Sequence, residues 1–197
     1  TPKSGASTAI GDALVAIDAA GATQALVLSP VAGGHALATV DLPDSSATSA
    51  AAVDLTRPSV ALPAGATATP VGGAAPLDDD ALARWTALAL AVTAADLVGT
   101  MAGATELARA YAAERQQYGV AVGSFQAVQH LLADAFTLAE GARSAALHAA
   151  WAVDALPPES AVVAGAVAKA YASAAARTAC ETAIQVHGGI GNTWECL

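Results

Sequence analysis

Charge is what this chain has least of. Asp, Glu, Lys and Arg make up 13% of its 197 residues, against roughly a quarter in an ordinary soluble domain. Too few are present to solvate the whole surface of a lone monomer, so extensive subunit contact or further chain is expected. Cations are scarcer still: 8 Lys and Arg stand against 17 Asp and Glu, for a net charge of -9. Phosphate backbones bind cationic surfaces, so the balance argues against a nucleic-acid partner and disfavours an anionic membrane surface. Only two cysteines occur, Cys180 and Cys196. Their spacing fits neither a metal site nor a redox pair, and they read as two reduced thiols in a cytoplasmic protein.

No signal peptide is read in the opening residues either. The first residues, TPKSGASTAI, have no initiator Met and no apolar h-region, and the absent Met reads as a start within a longer protein. No apolar run reads as a membrane span. The best, LARWTALALAVTAADLVGTMAG, is interrupted by Arg84 and Asp96 and followed by Glu106, Arg109, Glu114 and Arg115.

What is present is apolar sequence, 55% of the chain, enough for a sizeable core. It changes character along its length. Over residues 1–73, short β-type runs (ALVAID, QALVLSP, ALATVDL and AAAVDLTRPSVALP) are punctuated by Gly21, Gly33, Gly34, Pro43 and Pro63. Such spacing predicts part of an antiparallel β-barrel or sheet. VGGAAPLDDD then reads as a linker and a helix start, with Asp78, Asp79 and Asp80 at a positive helix N-terminus.

From there the pattern is helical. One long helix is expected from about Asp79 to Tyr118. A second should start with Ser124 as N-cap and stop at Pro157–Pro158, and a third should run from near Glu159 to Gly188–Gly189. Helices of that length must pack on one another, and their Ala-rich faces permit close approach. The fold class expected is therefore α+β: a partial β-domain over 1–73, then an up-down bundle of long α-helices over 74–197.

Three segments carry candidate chemistry. In AYAAERQQYGVAVGS (110–124), Arg115 offers a permanently charged fork for phosphate oxygens, and Gln116 and Gln117 add neutral donors. Taken alone, an Arg closing a helix is more often a dipole partner. In FQAVQHLLAD (125–134), Gln126 and Gln129 fall on the first turn of the second helix, and His130 reads as a core or interface residue. In IQVHGGIGNTWE (184–195), Gln185 projects one turn before Gly188 and Gly189, whose missing side chains let backbone amides approach a ligand. Alone, such glycines are more often plain helix stops.

Together, Y-A-x-x-R-x-Q-Y-G, F-Q-A-V-Q-H-x-L-A-D and Q-V-H-G-G-x-G-x-T-x-E, in that order, resemble the C-terminal helical domain of the acyl-CoA dehydrogenase family. The resemblance spans residues 78–197 and extends into the first region, which looks like that family's middle β-domain. It implies FAD. Arg115 takes the place of the arginine that contacts a neighbouring subunit's FAD pyrophosphate, with Gln116, Gln117 and the aromatic Tyr118 beside it. Phe125 and Gln126 match the pair that opens the next helix, and Gln185, Val186, His187, Gly188 and Gly189 match the stretch reaching the adenosine end. Shared contacts imply a homo- or hetero-oligomer, and the resemblance implies an acyl-CoA substrate and an electron-transfer flavoprotein as electron acceptor; no metal is implied.

The family reaction needs a glutamate base at the α-carbon. Most members carry it beyond the position matching Leu197, along with the last helices. A minority carry it on the first long helix, where the place falls near Ala89. Glu195 and Asp96 read as structural, so no catalytic residue is assigned. A non-catalytic subunit of a bacterial heteromeric dehydrogenase, and an acyl-CoA oxidase, remain as alternatives.

Overall fold

The computed structural model describes residues 8–9, 14–16, 19, 21–42, 59–62, 64–72 and 75–193. The expected strand residues 50–58, the Trp194–Glu195 pair and Cys196 lie outside them. The chain divides into two compact units, Thr1–Leu82 and Ala83–Leu197.

In the first unit every strand pairing among the described residues is antiparallel. Strands β1 (Thr8–Ala9), β6 (Thr67–Pro70), β4 (Gly34–Asp41) and β3 (Gln24–Val31) form one sheet in that spatial order, and β2 (Leu14–Ala16) pairs with β5 (Val60–Leu62). Alternation along β3 turns Val27 and Ser29 inward and leaves Leu26 exposed, the period of two expected of a half-buried strand. Val27, Ala38, Val40, Leu62 and Ala68 make the core.

Two of these details were not anticipated from sequence. TATP, outside the β-type runs picked from sequence, pairs between β1 and β4 in the sheet, with Pro70 only at its end. Gly34 has a tertiary reason: a side chain there would collide with the Leu77 carbonyl, since His35 and Leu77 exchange backbone hydrogen bonds of 3.0 and 2.7 Å.

The second unit is built on three long helices: α1 (Asp79–Glu114), α2 (Gln126–Ala155) and α3 (Pro158–His187). Asp78 caps α1, its carboxylate accepting the Ala81 amide at 2.8 Å. Pro158 opens α3, where a missing N–H costs nothing. Buried positions recur at alternating steps of four and three: Ala87, Ala91, Ala94, Val98 and Met101 on α1, and Ala135, Ala139, Ala142, Ala146 and Ala149 on α2. On α3 they are Ala161, Gly165, Ala168, Ala172 and Ala175. That 3.5-residue period is the one by which bundle helices keep a single face towards their neighbours.

What fills the seam is almost wholly alanine. Met101 is its one large, fully buried side chain, whereas Val92, Phe136, Leu147, Trp151, Val163 and Val167 stand outside, each more than half exposed. α1 is by length and composition apolar enough to cross a membrane, but the Ala91–Met101 part of its buried stripe packs in one cluster with α2 and α3, as a core helix does.

Two expected boundaries move. α1 stops at Glu114 rather than Tyr118, because the chain folds back in a short hairpin. Ser124 does not cap α2: it lies in a 3₁₀ turn (Val122–Ser124) and donates to the Ala121 carbonyl at 2.7 Å, which leaves Phe125 at the cap position.

Close packing fixes which glycines can change. A Cβ on Gly165 would lie 2.9 Å from Leu90 Cβ and 3.2 Å from the Ala87 carbonyl, whereas nothing approaches Gly99 within 4 Å. Gly165→Val should therefore destabilise the helical unit by about 1–3 kcal/mol, and Gly99→Ala should stabilise it by about 0.5–1 kcal/mol. Urea titration followed by helical circular dichroism checks both signs.

Candidate functional site

The hairpin that ends α1 makes the site. β7 (Gln116–Gln117) pairs with β8 (Val120–Ala121) around the two-residue turn Tyr118–Gly119. Both turn residues have positive φ, 54° and 81°, the combination a type I′ turn requires. Gly119 adopts it without strain; Tyr118 does so as a non-glycine residue and stands 88% exposed. The Val122 amide donates to the Arg115 carbonyl at 2.8 Å and closes the base of the hairpin. Beyond it the 3₁₀ turn lies against α1, where a Cβ on Gly123 would meet the Ala112 carbonyl at 2.8 Å.

At the end of α3, Gly188 turns the chain at φ +69° and its amide donates back to the Ile184 and Gln185 carbonyls. That amide is committed to the helix end, and what Gly188 leaves open is the space of its missing side chain. A 3₁₀ turn, Gly188–Asn192, follows; a Cβ on Gly191 would meet the Ile184 carbonyl.

These segments converge on one cavity of about 590 Å³. Of the residues picked from sequence, Arg115, Gln117, Phe125, Gln185, Val186, His187, Gly188 and Gly189 line it. Gln116 and Gln126 do not. Neighbouring strand residues point to opposite faces, so Gln117 faces in and Gln116 out. Gln126 sits about 100° around α2 from Phe125, whereas Val128, three residues on, shares the Phe125 side and lines the wall.

Tyr118, Tyr111 and Val122 complete the lining, and of these Tyr111 and Val122 were assigned no role from sequence. Tyr111 carried a legible signal: it lies four residues before Arg115, hence on the same face. His130, expected in a core or interface, is exposed.

The cavity's electrostatics rest on Arg115. Arg109 and Glu106, Arg143 and Glu140, and Arg177 and Glu181 form exposed ion pairs, and Arg84 donates to the Val153 carbonyl. The pairs hold the Glu106 carboxyl below its usual pKa and the Arg109 and Arg177 guanidinium groups above theirs. The Arg115 guanidinium has no partner among the described residues. A second cavity of about 380 Å³, between α1 and α2, contains Arg109 and Arg143, but each already faces its glutamate. The free cation, the amides of Gln117 and Gln185 and the apolar Val122, Phe125 and Val128 thus define a site for an anion attached to a flat or apolar group. Cys180 lines a separate 250 Å³ pocket, where burial pushes its thiol pKa up and keeps it protonated at neutral pH.

An α+β chain with a long-helix bundle and an anion-receptive cavity at the helix ends is the class these features define. Residues 84–196 match the family "Acyl-CoA dehydrogenase, C-terminal domain". The chain is 43% identical over 108 residues to acyl-CoA dehydrogenase FadE34 of Mycobacterium tuberculosis, covering 55% of this chain and 15% of that protein. It is 36% identical over 143 residues to acyl-CoA dehydrogenase IpdE2 of Mycolicibacterium smegmatis, covering 73% and 41%. The structure of the Tcur3481–Tcur3483 steroid ACAD G363A variant aligns with TM-score 0.65 and 28% identity, over 87% of this chain and 46% of that one. The chain belongs to the acyl-CoA dehydrogenase family, and it spans less than half the length of these two curated relatives.

The turn gives a direct test of the site's construction. Gly119→Val forces a β-branched residue to positive φ, so exchange of the Val122 amide should accelerate by roughly tenfold while the middle of α2 keeps its protection. Hydrogen exchange resolved by residue measures both.

Proposed function

We propose that this chain contributes the pyrophosphate- and adenosine-binding wall of a flavin site in an enzyme that dehydrogenates acyl-CoA thioesters between Cα and Cβ. The observation that carries the reading is the unpaired Arg115 guanidinium lining one cavity with Gln185. The donor set fits FAD: a forked cation suits a pyrophosphate, two side-chain amides suit ribose or adenine edges, and apolar walls suit a ring. Bound there, FAD supplies a hydride acceptor for the substrate Cβ–H while a base removes the α-proton.

The chain's own residues bind and orient. Arg115 neutralises phosphate charge, Gln117 and Gln185 offer directional bonds, and Val122, Phe125 and Val128 exclude water. Gln116 and Gln126, which face away, are proposed to meet a cofactor shared with a neighbouring subunit. Large apolar side chains outside an alanine seam support such an assembly, because Phe136, Leu147 and Trp151 on α2 gain from being covered by another chain. The partner is a second copy or a related subunit, with an acyl-CoA as substrate, an electron-transfer flavoprotein as acceptor and a cytoplasmic location. The likeness to a steroid ACAD favours a bulky acyl group.

A second reading, a non-catalytic subunit that keeps the fold, is favoured by one residue. Ala89, where a minority of the family places its base, has no acidic side chain.

Arg115→Ala should weaken FAD binding by at least about tenfold, since a charge-assisted hydrogen bond contributes about 1.5–3 kcal/mol. Arg143→Ala should leave it within about twofold, its charge being already paired. Flavin fluorescence titration of the full chain, with any subunit that copurifies, reads both. Unchanged affinity in Arg115→Ala would favour the structural subunit. Bleaching of bound flavin by an acyl-CoA, with reoxidation by an electron-transfer flavoprotein, marks the dehydrogenase; peroxide release instead marks an oxidase.

A further inference from the structure

Tyr111 and His187 stack with ring centroids 4.5 Å apart and planes 29° from parallel. They come from different helices, α1 and α3, and both line the cavity that holds Arg115 and Gln185. We propose that Tyr111 is a positioning residue whose ring, through His187, sets the spacing between the Arg115 and Gln185 walls. The claim rests on the flavin reading for its consequence, but not for its geometry.

Each ring is tied to one wall. The Tyr111 carbonyl accepts the Arg115 amide at 2.8 Å, the bond that fixes where the chain leaves α1. His187 Nδ1 lies 2.7 Å from the Ala183 carbonyl. A carbonyl only accepts, so the proton is on Nδ1 and the ring is anchored to its own helix. The next residue is Gly188, where the backbone reverses at φ +69°. On its far side the Gly191 turn closes over His187, leaving only 3.0 Å between an added Cβ and His187 Cβ. His187 is therefore held between the Tyr111 ring and its own following turn.

The buried alanines near these helix ends cannot do this. Ala108, Ala112 and Ala183 have no atom beyond Cβ and supply no directional contact. Two stacked rings prefer a definite offset and so fix both distance and rotation. The Tyr111 hydroxyl has no partner among the described residues, so the brace needs the ring alone.

Tyr111→Phe and Tyr111→Leu in the full chain, with any copurifying subunit, test the proposal by two independent readouts. The first is amide exchange without flavin. Tyr111→Leu should speed exchange by about fivefold to tenfold at residues 188–192 and at Val122, while residues 135–149 of α2 stay as in wild type and Tyr111→Phe matches wild type throughout. The second is FAD affinity, which should fall by about the same factor in Tyr111→Leu and be restored within about twofold by Tyr111→Phe.

Unchanged exchange in Tyr111→Leu overturns the brace. So does equal damage from Phe and Leu, which would assign the effect to the hydroxyl, and so does loss of protection across α2, which would make it global destabilisation. If the exchange pattern appears but wild type binds no FAD, the cofactor reading fails and the brace stands.

Discussion

Alanine at the inward positions is the constraint on which the helical unit depends. A seam of Ala at alternating steps of four and three allows the α2 and α3 backbones to approach closely, with little side-chain volume to separate them, and α1 packs its own stripe into the same cluster. Each buried methyl contributes only about 0.8 kcal/mol, so stability is spread over many small contacts rather than lodged in a few large ones. It follows that few bulky residues have room inside, Met101 being the large one. Most occupy the outer faces of the three helices, which accounts for a chain that is both strongly apolar and poor in charge.

The site grows from the places where the seam ends. α1 stops at Glu114 and α3 at His187, and the residues beyond each terminus turn back on themselves. Both turns depend on glycine at positive φ, Gly119 and Gly188. The two turns line one cavity. Charge then selects what that cavity accepts: four described arginines are engaged elsewhere, and Arg115, just past the helix rather than in its last turn, is left facing the opening.

Much of this was legible in the sequence. The three long helices follow from Ala periodicity bounded by Asp78, Pro157–Pro158 and Gly188–Gly189, and the structure bears them out to within a turn. The antiparallel character of the first region followed from runs such as QALVLSP and ALATVDL. Convergence of the 115, 125 and 185 segments was an inference from family resemblance, because residues so far apart in sequence carry no local sign of meeting.

The misses have physical causes. Arg115–Tyr118 was read as helix because Gln and Arg favour helix locally. The turn is set by Gly119 and by the pairing of Gln117 with Val120, a non-local bond. Ser124 looked like a cap because capping residues and 3₁₀ turns share the same chemistry. Gln116 and Gln126 were chosen by motif, yet strand alternation and helix rotation turn them away, which only a three-dimensional frame reveals. Tyr111 was within the quoted motif, and its spacing from Arg115 placed it on the cavity side, but its stacking on His187 is a non-local contact that emerges only in the fold.

A structure of the flavin-loaded assembly tests the central claim most directly. The account predicts pyrophosphate oxygens within hydrogen-bond reach of the Arg115 guanidinium, and the adenosine end against Gln185, in a single cavity completed by another subunit. Flavin bound with Arg115 turned to bulk water, or with the 115 and 185 walls lining no common space, would contradict it.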